Sequence, residues 1–340
     1  MSNTAAVIPE AKARLQVQDR PIPQPQGSEV LVKNGAIATN PVDWKIQDYA
    51  MMINEYPNVL GSDISGTIES IGPEVKRFKK GDRVTGFADF VGNQDLNHGA
   101  FQQYTLLNDH ATAKIPDSIS FEEGAILPMA IATTGVGIFL NLGIPRPEGT
   151  EKQSGGFLVW GASSSVGSAA VQVARSLGYT VYAVASPNHH SKTREYGASH
   201  VFDYNDSNVL ANIANAAKGD GNTIRLAYDA ISENGTSEQV ASVLEQQGGG
   251  KLVVTLPFPE TAKKPDNVEI SATFAPRLHT DSKEFAAWLF NDFLERSLAD
   301  KTFVPSPAIE KVEGGIASVQ KALDLHRKGL SGKKLVIPLA

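Results

Sequence analysis

From about residue 121 to 274 the chain alternates short apolar runs with segments of helical period, and this constrains the fold more than any other feature. The runs predict strands at 157–160, 180–185, 200–202, 224–228, 251–256 and 268–274, and the periodic segments predict helices at 166–177, 189–196, 208–217 and 233–246. Strands that alternate with helices form βαβ units and a parallel sheet. Gly178 and Gly197 stand where the first two helices should stop. The first 120 residues read differently. Runs such as 30–35 and 64–71, bounded by Gly, Pro and Asn, with the turn Gly81-Asp82-Arg83-Val84, predict an all-β region with little sustained helical periodicity. After about residue 275 come a helix bearing Phe285, Trp288, Leu289, Phe293 and Leu298, a second at 316–328, and a last strand at 334–338. At 340 residues the chain is long enough for two domains.

The sharpest local motif lies at the first βα turn. The strand 157–160 runs into Gly161-Ala162-Ser163-Ser164-Ser165-Val166-Gly167 and then a helix. Such a turn presents free N–H groups and the positive end of a helix to a pyrophosphate. Gly161 permits the sharp turn, Gly167 permits close helix–strand packing, and Ser163, Ser164 and Ser165 add hydroxyl donors. The bland alternative is a Gly/Ser-rich turn of any α/β protein; the surrounding βαβ pattern favours a dinucleotide site. An NAD site places a carboxylate roughly 20 residues further on, against the ribose. The strand 180–185 instead leads into Ser186-Pro187-Asn188-His189-His190-Ser191-Lys192. Ser186, His189 and Lys192, with Tyr204 at the next strand end, suit the 2′-phosphate of NADPH, unless this is a solvent-facing polar loop.

Composition narrows the chemistry. The chain has no Cys, so it has no disulfide, no thiolate nucleophile and no Cys-rich zinc site. With 31 Lys+Arg against 37 Asp+Glu and a net charge of −6, without a basic cluster, nucleic acid and anionic membrane are not expected partners. The start, MSNTAAVIPEAKARL, lacks the pattern of a signal peptide. The longest apolar stretch, 125–142, is interrupted by Pro128, Thr133, Thr134, Gly135 and Gly137, short of a membrane span. A cytoplasmic location is the default expectation.

With these pieces assembled the chain resembles the medium-chain dehydrogenase/reductase superfamily over essentially its whole length. The resemblance rests on Asn40-Pro41-Val42-Asp43-Trp44-Lys45, Gly61-Ser62-Asp63, Gly81–Val84, Gly99-Ala100-Phe101, Thr133-Thr134-Gly135, Gly161–Gly167, and the tail Lys321–Leu325 with 329–336, in order. Within it the chain looks most like fungal zinc-independent, quinone-oxidoreductase-like members, which include trans-acting enoyl reductases. The resemblance implies an α/β protein with a GroES-like β-rich catalytic domain (1–124 and 276–340) and a Rossmann doubly wound parallel-sheet domain (125–275), with the active site between them. Zinc-dependent members carry Gly-His-Glu and cysteine ligands; here the segment is Gly61-Ser62-Asp63. Asp63 alone makes no catalytic zinc site, and His98 and His110 are expected to be surface or hydrogen-bonded residues rather than ligands. No metal is expected.

Without a metal to polarise an alcohol or carbonyl, the favoured chemistry is direct hydride transfer from NADPH to an activated C=C bond of an enoyl thioester or enone, or to a quinone. By resemblance, Val42, Asp43, Trp44 and Lys45 meet the nicotinamide side, Thr134 the nicotinamide ribose, Leu256 and Pro257 the carboxamide, and Lys333 reaches the cofactor from the tail. Lys45 is a candidate for ribose or enolate contact or a surface ion pair; Tyr49 and Tyr56 are candidate proton donors or structural residues. Met129, Ile131, Phe139, Phe274 and Leu278 line an acceptor pocket or belong to the core. Two other readings stand beside this one: an NADPH-dependent aldehyde or carbonyl reductase, and a non-catalytic, crystallin-like cofactor-binding protein. The partner is a small-molecule or carrier-bound acceptor, and the chain is a monomer or homodimer.

Overall fold

The computed structural model describes residues 2–147 and 152–339. The protein is an α/β chain of two compact units: Met1–Ala132 with Pro276–Lys301 and Pro305–Ala340, and Thr133–Ala275 with Thr302–Val304.

In the second unit six parallel strands lie in the spatial order His200–Phe202, Thr180–Val184, Gly156–Trp160, Ile224–Asp229, Gly250–Val254, Val268–Ala272. Numbered along the unit, this is 3-2-1-4-5-6, the doubly wound order, which reverses between Gly156–Trp160 and Ile224–Asp229. Alternate residues along the strands give the sheet its faces. Leu158, Trp160, Tyr182, Val184, Leu252 and Val254 form one core with the helices Val209–Gly219 and Thr236–Gln246. The helix Ser165–Leu177 stops at Gly178, whose φ of 105° is a left-handed C-cap. The strands expected at 251–256 and 268–274 end earlier, at Val254 and Ala272, and the segment expected as one helix at 189–196 divides into a 3₁₀ turn, Pro187–His189, and the helix His190–Glu195.

The first unit is built on a sheet ordered Ala308–Lys311, Lys333–Pro338, Glu29–Ala38, Asp63–Ile71, Arg83–Phe87, Thr112–Lys114, with Tyr104–Asn108 also paired to Glu29–Ala38. The last strand, Lys333–Pro338, pairs antiparallel with Ala36–Ala38, so the tail joins the sheet of the first unit. A smaller sheet sets Asn3–Ile8 between Gln16–Arg20 and Asn58–Val59. The core gathers Ile37, Ile46, Leu60, Ile64, Phe90, Phe101 and the tail residues Val319, Leu323, Leu335 and Ile337.

Two expectations are corrected. The all-β reading of the first 120 residues overlooked the helix Pro41–Tyr49. Its nine residues are too few to show a period, and its signal is in its start. Pro41 takes the first helical position, and Asp43 Oδ2 accepts the Asn40 N–H at 2.6 Å, a short capping arrangement. The boundary expected at 124/125 lies at 132/133. The helix Phe121–Ala125 stays with the first unit because its ring and carbonyl are both engaged there. The Arg83 guanidinium sits 4.8 Å from the Phe121 ring centroid, and buried Thr85 Oγ1 donates to Gly124 O at 2.8 Å and Ile64 O at 3.1 Å.

Thr85→Val keeps the shape and removes both bonds, leaving the buried carbonyls of Gly124 and Ile64 with one donor fewer. Unfolding in urea should show a loss of about 1–3 kcal/mol; a loss under a few tenths would mean the hydroxyl does not hold the helix to the sheet.

Candidate functional site

In the second unit the strand Gly156–Trp160 turns at Gly161, whose φ is +73°, and enters the helix Ser165–Leu177. Ser164 is the N-cap: its Oγ accepts the Gly167 N–H at 3.0 Å, which leaves its own proton to donate outward. A Cβ at Gly167 would lie 2.1 Å from Gly161 O, so only glycine lets the helix start this close to the strand. Helix N–H groups of the first turn have no carbonyl partner within the helix. Ser163, Ser165 and Val166 are part-exposed on this turn. Thr134 is fully buried and donates to Val166 O at 3.2 Å, which brings it to the same turn. The helix that carries it passes into a π turn, Val136–Asn141, while the Thr133 carbonyl accepts from Tyr228 Oη at 2.8 Å and Thr273 Oγ1 at 3.0 Å.

Sequence reasoning missed the residue that organises this end of the sheet. Asp229 closes its strand fully buried, and its two oxygens take four donors: the N–H groups of Ile231 and Ser232, both at 3.0 Å, and the hydroxyls of Thr236 at 2.7 Å and Ser237 at 2.8 Å. Ser232 Oγ in turn accepts the Thr255 N–H at 2.8 Å, which ties down the segment leading to Leu256 and Pro257. The clue was a strand-ending Asp followed by hydroxyl residues at three, seven and eight positions.

Beyond the strand Thr180–Val184 there is no carboxylate at the strand end, as the sequence shows. Ser186 precedes the 3₁₀ turn Pro187–His189. Lys192 pairs with Glu195 at 2.6 Å, both well exposed, and Tyr204 is half exposed. Phe274, considered for a pocket, is 49% exposed, whereas Ile131, Phe139 and Leu278 are buried.

In the first unit Val42, Asp43, Trp44, Lys45 and Tyr49 share the helix Pro41–Tyr49. Lys45 Nζ lies 5.7 Å from the Trp44 ring centroid, and Tyr49, its ring 6.1 Å from that of Trp44, is 63% exposed. Tyr56 follows this helix in sequence and packs on the same core as Val42 and Trp44; its buried hydroxyl has no hydrogen-bond partner among the described residues, and burial raises its pKa. Asp43 does not turn outward toward a ligand. It is fully buried, bonds the Asn40 N–H, and is pushed to a pKa of about 7, first by burial and further by Asp63, against the lowering effect of the Asn40 N–H and of Lys334. Its other oxygen, Oδ1, has no partner. The tail lysines divide by strand alternation: Lys333 faces outward to Glu310 at 3.0 Å, and Lys334 points inward.

Lys334, 2% exposed, reaches Asp63 Oδ2 at 2.7 Å and Asn40 Oδ1 at 2.5 Å. Asn40 Nδ2 donates to the same Asp63 oxygen at 2.9 Å, and Asp63 Oδ1 accepts the Met129 N–H at 2.6 Å. Nearby, His326 Nε2 lies 3.1 Å from Thr39 O, and burial, then the Lys334 charge, depress its pKa to about 4. His98 is buried and held between Asp95 and Glu29, both at 2.9 Å, and His110 is half-buried.

Residues 26–117 match the alcohol dehydrogenase GroES-like domain, and residues 165–271 match the zinc-binding dehydrogenase family. The chain is 36% identical to a trans-enoyl reductase, tndF, of Aspergillus flavipes, over 98% of both chains. It is 35% identical to the dehydrogenase pigH of Monascus ruber, over 99% of this chain and 100% of that protein. The chain belongs to the medium-chain dehydrogenase/reductase superfamily. A crystal structure of an alcohol dehydrogenase superfamily protein from Novosphingobium aromaticivorans shares the fold, with a TM-score of 0.83 at 24% identity over 99% of this chain and 100% of that one.

Members of the superfamily bind nicotinamide cofactors, and the Gly161–Gly167 turn fits one: a cradle only glycine can form, an N-cap hydroxyl and a helix start. The segment Gly61-Ser62-Asp63 offers one carboxylate, and that carboxylate is already engaged. Both oxygens of Asp63 are committed to Met129, Asn40 and Lys334, and no group of three or more His, Asp or Glu able to hold a metal occurs among the described residues.

Two measurements check this geometry. Gly167→Ala should weaken nicotinamide-cofactor binding at least about tenfold (~1.4 kcal/mol) in a fluorescence titration; unchanged affinity would contradict the close-packed turn. His326, neutral in the fold with its pKa depressed from about 6.5 to about 4, contributes stability that is present above pH 6.5 and is lost as pH falls toward 4. Over that window the wild type should lose stability faster than His326→Gln, by at most about 1.4 kcal/mol per pH unit. Parallel pH–stability curves would show that His326 is not linked to folding.

Proposed function

We propose that the protein is a zinc-independent, NADPH-dependent reductase of an activated C=C bond, in an enoyl thioester or enone, or of a quinone. The observation that carries this reading is the Asp63–Lys334 pair. The one carboxylate in the motif where zinc-dependent relatives of the superfamily bind metal is neutralised by the chain's own ammonium. Reduction of a conjugated double bond needs no Lewis acid on the acceptor; its developing enolate charge can be held by hydrogen-bond donors. The trans-enoyl reductase of Aspergillus flavipes supports the C=C assignment.

NADPH bound on the Gly161–Gly167 turn supplies the hydride. Ser163, Ser164, Ser165 and the first-turn N–H groups hold the pyrophosphate, and Thr134 supports the turn through Val166. Ser186, His189, Lys192 and Tyr204 take the 2′-phosphate, for which Lys192 exchanges Glu195 for a phosphate oxygen. Val42, Trp44 and Lys45 serve the nicotinamide side, and Lys45 offers an ammonium to a ribose hydroxyl or an enolate oxygen. Leu256 and Pro257 flank the carboxamide, Lys333 comes from the tail, and Tyr49 and Tyr56 are the candidate proton donors. The acceptor is a small or carrier-bound molecule; the site is cytoplasmic in this reading.

Consumption of NADPH is to be followed against an enoyl thioester, an enone, a quinone and an aldehyde, with and without a chelator. Turnover of the first three that a chelator leaves unchanged is expected; chelator-sensitive activity, or reduction of the aldehyde alone, would overturn the assignment. Lys192→Ala should raise the KM for NADPH about tenfold, the loss of a charge-assisted bond, and leave that for NADH unchanged. Tighter binding of NADH than NADPH by the wild type would refute the 2′-phosphate site.

A further inference from the structure

The helix Pro41–Tyr49 is fastened at both ends by the last stretch of the chain. At its start, Lys334 bonds Asn40, the N-cap, and His326 lies against Thr39 O. At its end, Arg327 forks onto Asp48, Nε to Oδ2 at 2.7 Å and Nη2 to Oδ1 at 2.6 Å, and reaches Gln47 Oε1 at 2.6 Å. A bidentate guanidinium–carboxylate pair fixes direction as well as distance. The two ends differ in burial. Asp48 and Arg327 are part-exposed, whereas Asp63 and Lys334 lie in the interior, where an ion pair costs as much to desolvate as it returns. Replacing a buried ion pair by well-packed apolar residues is often neutral for stability, so what distinguishes this pair is the geometry it imposes on its partners.

We propose that Lys334 and Asp63 are positioning residues: as a resident ammonium–carboxylate pair they lock Asn40, and through it the helix that presents Trp44 and Lys45. The inference rests on the reading that this helix serves the reaction. It differs from that reading in naming residues that touch neither cofactor nor acceptor. The Asn40 side chain is held by both members at once, its oxygen by Lys334 and its nitrogen by Asp63. Asp63 is itself anchored on the Met129 N–H. Removal of Lys334 alone would leave Asp63 buried without its cation, and the chain is expected to lose its fold. Asp63→Asn with Lys334→Met removes both charges, keeps an acceptor for Met129 and retains the packing.

The double variant is compared with the wild type by thermal melting, hydrogen exchange of the segment 41–49, and steady-state turnover with NADPH and an enoyl thioester. The expected result is a melting temperature within a few degrees of wild type and exchange at least about tenfold faster in 41–49 than elsewhere in the first unit. kcat should fall at least about tenfold while the KM for NADPH stays within about threefold. Exchange in 41–49 equal to wild type, or protection lost evenly through the surrounding strands, would overturn the positioning role. The exchange result stands whatever the activity. A wild type that binds NADPH and turns over no acceptor would overturn the proposed function instead.

Discussion

The buried ion pair between Lys334 and Asp63 is the constraint on which the first unit depends. It joins the last strand of the chain to a central strand across 271 residues of sequence and fastens both to Asn40. Desolvating the two charges costs several kcal/mol apiece, and only close geometry with further hydrogen bonds returns it. Here the return is complete for the carboxylate: both oxygens have donors. The pair also acts on Asp43, after burial and the Asn40 N–H. A second carboxylate beside Asp63 would share a single ammonium, and burial keeps it from ionising until about pH 7. The helix start is therefore capped by a carboxyl that is half neutral near physiological pH.

The second unit solves a related problem with hydrogen bonds alone. Asp229 is as buried as Asp63 but has no cation; two N–H groups and two hydroxyls satisfy it. The loop so formed places Ile231 against Gly161, where a Cβ would come within 2.4 Å of its Cγ1. The Gly161–Gly167 turn is thus shaped from two sides: by Gly167 folding the helix onto the strand, and by the Asp229 loop closing on Gly161. A turn fixed before any ligand arrives loses little entropy on binding.

What the sequence disclosed follows from the range of the interactions. The Gly161–Gly167 turn, its flanking strand and its helix are local, set by residues within twenty positions, and they were legible. So was the missing carboxylate after the second strand. The helix Pro41–Tyr49 was not, because nine residues show no period and its start depends on one Asp–backbone bond. The roles of Lys333 and Lys334 could not be told apart either. Adjacent residues on a strand face opposite ways, and only the pairing of Lys333–Pro338 with Ala36–Ala38 decides which one turns inward. The absence of cysteine and the Gly61-Ser62-Asp63 segment argue against a zinc site from the sequence; that Asp63 pairs with a side chain from the far end of the chain lies beyond any local pattern.

The pairing of Asp63 with an ammonium bears on the proposed reaction. A catalytic zinc keeps an open coordination position and polarises the oxygen that enters it. The Lys334 ammonium is 2% exposed and gives two of its three N–H donors to Asp63 and Asn40. It reproduces the charge of a cation without the Lewis acidity. On the proposed reading the acceptor is activated by its own conjugation, and its reduction asks the protein for alignment and hydrogen bonds. On that reading orientation is the protein's main contribution to rate, and a fastening at both ends of one nine-residue helix bears on the chemistry as well as on the fold.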